Sequence, residues 1–252
     1  MAELCELKVD LIASSSFHAP EDVEWIPDDG VSDAEALVEF AGRACYETFD
    51  KPNPRTAANN AYLHHVMEVG HHALLEHATA TMYIRGLSMG AVVELLRHRH
   101  FSFSQLSQRY VHPDEATAVL PLEIAQDEEL ARLMERAVDD SRFVYNELLD
   151  ALEEKLAGEP NTLIRKKQAR QAARAILPAA TETRIVVTGN FRTWRHFIAV
   201  RSSEQADREI RTLAVTVLEL LKKESPALFS DFRISTLADG SKMASSPLVS
   251  EH

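Results

Sequence analysis

A long amphipathic stripe in the middle of the chain is the feature that most limits its fold. Apolar residues recur there every three or four positions, which places them on one face of a helix. The residues of this stripe are Leu130, Leu133, Met134, Ala137, Val138, Val144, Leu148, Leu149 and Leu152. Gly158 and Pro160 follow and predict the end of the helix. A helix with one apolar face must bury that face against another layer of secondary structure.

Strand patterns are few and lie far apart in the chain. Leu7, Val9 and Leu11 alternate with charged residues and predict a first strand, and residues 78–85 and 183–187 predict two more. Helical patterns separate them, including a basic helix around Arg170 that must end before Pro178. Helices grouped around non-consecutive strands predict a mixed α/β fold of the α+β type. We expect one domain over residues 1–237 and a mobile tail over residues 238–252.

Local signals predict where several helices begin. Ser32 with Glu35, and Ser202 with Gln205, have the spacing of a capping box, in which each side chain satisfies a backbone amide. Two further residues that commonly cap helices precede apolar runs: Ser88 and Asn190. Gly70 predicts the end of a helix over residues 56–69. Cys45 falls at a helical apolar position and is predicted to face the core.

The charge of the chain excludes some classes of partner. A formal net charge of −12 argues against general affinity for nucleic acid or an anionic membrane, which both need a basic surface. The charge is uneven, because residues 113–160 carry 14 acidic and 4 basic residues, whereas residues 161–201 carry 9 basic residues and one acidic residue. This reversal is compatible with an acidic helix packed beside a basic one, or with a local anion site.

Cysteine content and hydropathy indicate the compartment. The two cysteines, Cys5 and Cys45, form no CxxC pair and no disulfide framework, which favours a reducing cytoplasm. The amino terminus has no basic leader followed by an apolar core, and no apolar run approaches the roughly 20 residues of a membrane span. We therefore expect a soluble cytoplasmic protein without a membrane partner.

The segment Arg97–Tyr110, RHRHFSFSQLSQRY, holds three arginines and no carboxylate. Guanidinium groups keep their charge at any physiological pH, so the segment predicts an anionic ligand. The eight glycines form neither GxGxxG nor a P-loop, so side chains must hold any phosphate. Arginine suits this task because its planar fork binds phosphate through two hydrogen bonds. The candidates are Arg97, Arg99, Arg109, Arg170, Arg174, Arg192 and Arg201.

Two other chemistries have weaker support in the sequence. Seven of the eleven histidines lie between His64 and His100, but no HExxH or comparable metal motif is present, so no metal site is predicted. Ser102, Ser104 and Ser107 lie near histidines without a GxSxG elbow or a neighbouring carboxylate. We interpret these serines as hydrogen-bond donors to a ligand rather than as nucleophiles.

The arginine segment resembles a known family signature. Arg97-His98-Arg99, seven residues and then Ser107-Gln108-Arg109 is similar to the RHRx7SxR pattern of the flavin-dependent thymidylate synthases. Residues 70–77 resemble the upstream GHxxxxEH element of that family. Downstream residues match in order as well: Arg174 before Leu177-Pro178, Asn190-Phe191-Arg192, His196 and Arg201. The resemblance covers roughly residues 5–225.

The resemblance implies a fold and a reaction. It implies a twisted, mainly antiparallel sheet flanked by helices, in a homotetramer whose active sites lie where subunits meet. The implied reaction is the reductive methylation of dUMP to dTMP. Methylenetetrahydrofolate supplies the carbon, NADPH reduces FAD, the reduced flavin supplies the hydride, and tetrahydrofolate is released.

The same resemblance implies a role for individual residues. The residues expected at the flavin are His71, Arg97, His98, Arg99, Gln105, Asn190, Phe191, Arg192 and His196. The residues expected at dUMP are Glu94, Arg97, Gln105, Ser107, Gln108, Arg109, Arg174 and Arg201. Arg201 is the expected catalytic residue, because a fixed cation against the uracil favours negative charge on the ring. Ala73 departs from the family pattern, where a hydroxyl residue is common.

Two alternatives to this enzyme remain at the level of sequence. An acidic regulatory protein could use the same arginines only to sense a phosphorylated nucleotide. A histidine-rich metallohydrolase is the other alternative. Bound flavin, or sensitivity to chelators, would separate the three hypotheses.

Overall fold

The computed structural model describes residues 5–111 and 118–249. The α-helices in these ranges are α1 (Asp33–Ala44), α2 (Asn59–Glu68), α3 (Met89–Leu95), α4 (Leu122–Ala125), α5 (Glu128–Lys155), α6 (Thr162–Ala173), α7 (Phe191–Arg201) and α8 (Arg208–Glu224). The strands are β1 (Lys8–Ser14), β2 (Thr79–Ser88), β3 (Ser102–Gln105), β4 (Glu182–Asn190), β5 (Arg233–Thr236) and β6 (Lys242–Ser245). All three strands predicted from the sequence are present.

Four strands form the main sheet in the order β1-β2-β4-β3. Side chains of β2 alternate between buried and partly exposed positions, with Ala80, Met82 and Ile84 on the buried face. Ile185 and Val187 of β4 are completely buried at the same two-residue spacing. The antiparallel sheet and its flanking helices confirm the predicted fold class.

Most of the predicted helix caps are present. Ser32 and Glu35 form a reciprocal capping box at α1, and Ser88 caps α3 by accepting a hydrogen bond from Ala91 N at 3.0 Å. The capping box predicted at Ser202 is wrong, because α8 begins at Arg208 and is capped by Asp207. Ser202 instead ends α7 and is completely buried. The Ser202 hydroxyl, which a local cap would use, instead donates to the carbonyl oxygen of Ala244, a residue distant in sequence.

Neither Cys5 nor Cys45 forms a disulfide. Cys45 was predicted to face the core, and this prediction is wrong. It lies one residue beyond the end of α1 and is exposed, and its thiol donates to the carbonyl oxygen of Ala41 at 3.3 Å. The helical pattern that placed Cys45 on the apolar face therefore ends before this residue.

The chain divides into two compact units, of which the first comprises residues 1–8, 84–96 and 104–186. In this unit the long helix α5 packs against α6 through a core that contains Tyr145, Leu149, Ala169 and Ala173. Only part of the predicted stripe is buried, since Leu133 keeps 54% of its surface exposed. The small alanines of α6 permit close approach of the two helices at the buried part of the stripe.

The second unit comprises residues 9–83, 97–103 and 187–252. The core of this unit contains the apolar faces of α7 and α8. The completely buried side chains on these two helices are Phe191, Trp194, Phe197, Ile198, Ile210, Leu213, Ala214, Val217, Leu218 and Leu221. This core fixes α7, whose other face carries polar residues of the candidate site.

Part of the expected mobile tail is ordered. Strand β6 pairs antiparallel with β5, with Arg233 opposite Ser245. Ala244 is 2% exposed, and its amide donates to Ser202 O at 3.1 Å. The prediction of a mobile segment from residue 238 is therefore corrected for β6, because these backbone groups have partners within the unit. The single domain over residues 1–237 stays a prediction.

Candidate active site

The second unit contains a cavity of about 650 Å³, within the range of small-molecule and cofactor sites. Helix α7, a 3₁₀ helix over His72–Glu76, the arginine segment and Val249 contribute to its wall. The lining residues are His72, Leu75, Glu76, Arg97, His98, Arg99, His100, Asn190, Arg192, Thr193, Arg195, His196 and Val249. The structure therefore brings together Arg97, His98, Arg99, Asn190, Arg192 and His196, six residues predicted to contact the flavin.

Phe101 holds the arginine segment in place. Its amide donates to His98 O at 3.2 Å, and its ring centroid lies 4.4 Å from that of Trp194 on α7. The ring also lies directly over the backbone of Gly189, where a Cβ would be 2.4 Å from the Phe101 ring. Glycine is therefore required at position 189 for this close packing, which fixes the arginines that precede Phe101.

Helix α7 separates its core residues from its cavity residues. Asn190 begins the helix by accepting hydrogen bonds from the amide and the hydroxyl of Thr193, both at 2.8 Å. Arg192 and His196, four residues apart, share the face that lines the cavity. Phe191 lies on the opposite face, is completely buried and packs against Phe229. Phe191 is therefore a core residue, and its flavin contact, implied by the family motif, stays a prediction.

His98 and Arg201 form a hydrogen bond at the cavity wall. Arg201 Nε donates to His98 Nε2 at 2.9 Å, and a guanidinium cannot accept, so Nε2 carries no proton. Burial lowers the pKa of His98 to about 4, and the nearby charges of Arg201, His196 and Arg97 act in the same direction. His98 is therefore a neutral imidazole that orients the cation beside it.

The neutral state of His98 predicts a pH dependence of stability. An unfolded histidine titrates near pH 6.5, so between about pH 6.5 and pH 4 the unfolded chain binds a proton that folded His98 does not. The free energy of unfolding should be complete above pH 6.5 and fall as the pH decreases towards 4. Because His98 is partly solvated, we expect a loss of about 1–2 kcal/mol rather than the full value of the shift.

Urea unfolding of wild type and His98→Gln across this pH range checks the prediction. The variant should show a shallower pH dependence. Some dependence should remain, because burial and the charge of His100 also lower the pKa of His196. Equal slopes for the two proteins would contradict the assignment to His98.

His72 also lines the cavity, and one of its ring nitrogens makes no hydrogen bond within the described residues. His72 Nε2 is buried and has no hydrogen-bond partner among the described residues. His71, the residue predicted from the family motif, is exposed and is not among the lining residues. A buried polar atom without a partner is costly, so His72 fits a role as a contact to a bound ligand.

Arg192 is paired with Glu76 on the cavity wall. The two groups are 2.6 Å apart, and about half of each side chain is exposed. Ion pairs at this exposure contribute little to stability, so Arg192 can exchange Glu76 for an anionic ligand. With Arg97 and Arg99 it would give the cavity three cations suited to a pyrophosphate. The cations and His72 therefore fit a dinucleotide cofactor such as FAD.

A buried ion pair supports the floor of the same cavity. Arg195 donates to both carboxylate oxygens of Asp231, at 2.7 and 2.6 Å, and both side chains are 2% exposed. Burial alone would raise the pKa of Asp231, but the hydrogen bonds and charge of Arg195 outweigh it and lower that pKa. Arg195 is thus neutralised by its partner and does not supply a further net charge to the cavity.

The first unit contains a separate basic cluster. Arg170 donates to Tyr110 O at 2.5 Å, and the Lys167 ammonium lies 5.3 Å from the centre of the Tyr110 ring. Arg109 lies 5.8 Å from the same ring. A hydrogen bond from Lys167 lowers the pKa of Tyr110, and the charges of Lys167 and Arg109 add to the effect. Arg174 ends the helix that carries Lys167 and Arg170.

The remaining predicted substrate residues also lie in the first unit. Gln105 on β3 donates to Thr183 Oγ1 at 3.2 Å, which fixes its side chain at the sheet. Ser107 O accepts hydrogen bonds from the amides of Tyr110 and Val111, so Gln108 and Arg109 lie in a tight turn. Glu94 lies near the end of α3 and is half-buried. Gln105 is not among the cavity-lining residues, so its predicted flavin contact stays a prediction.

Sequence reasoning missed several residues of the cavity. Glu76, His100 and Thr193 lie within or beside the quoted motifs, and their positions next to predicted contacts could have indicated them. Arg195 and Val249 carry no local signal, because their place in the wall depends on contacts distant in sequence. Within residues 5–111 and 118–249, no group of three or more His, Cys, Asp or Glu side chains is placed to hold a metal ion.

The comparisons with known proteins agree on one family. A sequence model described as thymidylate synthase complementing protein matches residues 29–227. The flavin-dependent thymidylate synthase of Corynebacterium aurimucosum is 70% identical over 247 residues, which are 98% of this chain and 99% of that protein. The protein of the same name from Mycobacteroides abscessus is 58% identical over the whole of both chains.

A solved structure shares the fold. The UMP/dUMP methylase PolB from Streptomyces cacaoi, bound with 5-Br dUMP, superposes with a TM-score of 0.68 at 21% identity. The match covers 90% of this chain and 95% of PolB. The family resemblance predicted from the arginine segment is thus confirmed by relatives that span the chain. This chain belongs to the thymidylate synthase complementing protein family, the flavin-dependent thymidylate synthases.

Proposed function

We propose that this protein catalyses the reductive methylation of dUMP to dTMP, with methylenetetrahydrofolate as carbon donor and release of tetrahydrofolate. The cavity of the second unit carries this proposal, because Arg97, Arg99 and Arg192 line it beside the unpartnered Nε2 of His72. Relatives at 58–70% identity bear the name of flavin-dependent thymidylate synthase. FAD, reduced by NADPH, would supply the hydride when bound.

We assign the cofactor to the cavity of the second unit. Arg97, Arg99 and Arg192 would hold its pyrophosphate by charge-assisted hydrogen bonds. His98, His196 and Asn190 line the same wall and would contact the remaining polar groups. His72 joins this set because of its unused buried nitrogen. The contacts predicted for His71 and Gln105 remain part of the proposal on the strength of the family motif alone.

We assign the phosphate of dUMP to the basic cluster of the first unit. Arg109 and Arg174 can each present a planar fork to a dianion, and Arg170 and Lys167 add positive charge around them. The other residues assigned to dUMP by motif are Glu94, Arg97, Gln105, Ser107, Gln108 and Arg201. We propose that a homotetramer completes the active site with residues of neighbouring subunits.

Arg201 is the proposed catalytic residue. Its guanidinium is held at Nε by the neutral ring of His98, which adds no competing charge. A cation fixed in this way stabilises negative charge that develops on the uracil ring, and it needs little reorganisation during the reaction. The carbon next to that charge becomes nucleophilic without a cysteine thiolate. The exposed thiol of Cys45 lies outside the lining residues of the cavity.

The setting of the enzyme is the last part of the proposal. Among the described residues, no helix has both the length and the apolar character of a membrane span. Both cysteines are unbridged, as expected for a reducing compartment. We propose that the enzyme acts in the cytoplasm.

An absorption spectrum and a coupled assay test the function. The purified protein should show flavin absorbance, which NADPH bleaches under anaerobic conditions. It should form dTMP only when dUMP, methylenetetrahydrofolate and NADPH are all present, and treatment with a chelator should not reduce the rate. Binding of dUMP by a protein that cannot bind FAD would refute the proposal and support a nucleotide sensor.

A further inference from the structure

The C-terminal segment, defined here as Ser246–Val249, folds back onto the wall of the cavity. It follows β6 directly, and the Ser246 hydroxyl donates a short hydrogen bond to Asp231 Oδ2. Leu248 N in turn donates to Ser246 Oγ at 3.0 Å, which closes a turn. This turn brings Val249 into the lining of the cavity. This segment therefore forms one wall of the proposed cofactor site. The Ser246 hydroxyl holds the segment in place, because it donates to Asp231 and accepts from Leu248 N.

Asp231 connects this segment to the floor of the cavity. Its Oδ2 accepts from both Ser246 Oγ and Arg195 Nη2, and its Oδ1 accepts from Arg195 Nη1. The carboxylate is charged and almost completely buried, and hydrogen bonds to such a group are about twice as strong as those between neutral groups. Asp231 therefore fixes Arg195 and the C-terminal segment against each other.

The Arg195–Asp231 pair does not depend on Ser246. Arg195 Nη1 also donates to Leu228 O at 2.5 Å, and its guanidinium lies 5.0 Å from the centre of the Phe232 ring. Loss of the Ser246 hydroxyl would leave these contacts and both hydrogen bonds to Asp231 in place. Such a change releases only the C-terminal segment.

We propose that Ser246 is a positioning residue, which fixes Ser246–Val249 as a wall of the FAD site and so determines cofactor affinity and solvent access. This inference rests on the proposed function, since it takes FAD as the occupant of the cavity. Ser246 itself is not among the lining residues and acts through Val249. The segment must be in place for binding, so a lower population of the ordered segment weakens the apparent affinity in proportion.

Ser246→Ala tests the inference in the full chain, stripped of flavin and titrated with FAD. We expect the dissociation constant to rise about tenfold, as for loss of one hydrogen bond to a charged group. Iodide should quench the fluorescence of the bound flavin more efficiently than in wild type. Ser246→Thr, which keeps the hydroxyl, should restore both values to within about twofold of wild type. Ser245→Ala is the matched control, because Ser245 is exposed on β6.

The outcomes separate the two proposals. If wild type fails to bind FAD, the proposed function is refuted. If wild type binds FAD, and Ser246→Ala has the same dissociation constant and the same iodide quenching, only the present inference is refuted. If Ser246→Ala does not fold, Val249→Gly decides, because it removes the wall side chain and leaves Asp231 untouched. Weaker FAD binding by Val249→Gly supports the inference, and wild-type binding overturns it.

Discussion

Arg201→Ala should lower the rate of dTMP formation about 10²–10³-fold, the usual cost of losing one fixed group that stabilises charge in a transition state. FAD should stay bound, because Arg97, Arg99 and Arg192 remain in the cavity wall. Arg201→Lys should recover only part of the rate, since an ammonium keeps the charge but cannot donate through Nε to His98 in the same geometry. Single-turnover assays with saturating dUMP measure the effect on chemistry apart from binding.

Arg233→Ala is the matched control for this experiment. Arg233 is an exposed arginine on β5 in the same unit, and it is not among the lining residues. Its loss should leave both dTMP formation and FAD binding near their wild-type values. Near-normal turnover in Arg201→Ala would overturn the catalytic assignment, and loss of FAD from that variant would assign Arg201 to the cofactor instead.

Asp231→Ala should lower the free energy of unfolding by about 3–5 kcal/mol. The change leaves the guanidinium of Arg195 buried at 2% exposure with no opposite charge, and it also removes the acceptor of Ser246. Urea unfolding measures this loss, provided that wild type and variant have the same m-value. Most single substitutions cost less, so a value in this range identifies an uncompensated buried charge.

A double variant tests the cause of this loss. Asp231→Ala combined with Arg195→Met removes both charges, and it should be more stable than Asp231→Ala alone. Glu219→Ala is a control on a half-exposed carboxylate, which lies 2.7 Å from the exposed ammonium of Lys242, and it should change stability little. A double variant that is less stable than Asp231→Ala would show that packing, rather than buried charge, dominates the effect.

Signals confined to a few residues predicted the fold well. The caps at Ser32, Ser88 and Asn190 depend on side chains that bond to amides three residues away, so the sequence contains both partners. The prediction at Ser202 is wrong because its partner is Ala244, 42 residues further along the chain. Cys45 shows the same limit at a helix end, where periodicity cannot locate the last helical residue.

The candidate site likewise contains features that local sequence signals predict and features that depend on contacts distant in sequence. The arginine segment could be recognised from its charge and spacing, and the structure gathers Arg97 and Arg99 with the polar face of α7. The burial of Phe191 was predictable, because Phe191 and Trp194, three residues apart, share one face of α7. The pairing of Arg195 with Asp231 was not predictable, because it joins residues 36 positions apart through the tertiary fold.

The two hydrogen bonds between Ser202 and Ala244 have a consequence for biosynthesis. They attach β6 to the residue directly after Arg201, by way of Ser202 Oγ to Ala244 O and Ala244 N to Ser202 O. Until β6 has emerged from the ribosome, these buried groups of Ser202 lack their partners on Ala244. The carboxyl end of α7 should therefore become rigid only after translation has passed Ala244, and premature termination before β6 should yield a protein with a loosened Arg201.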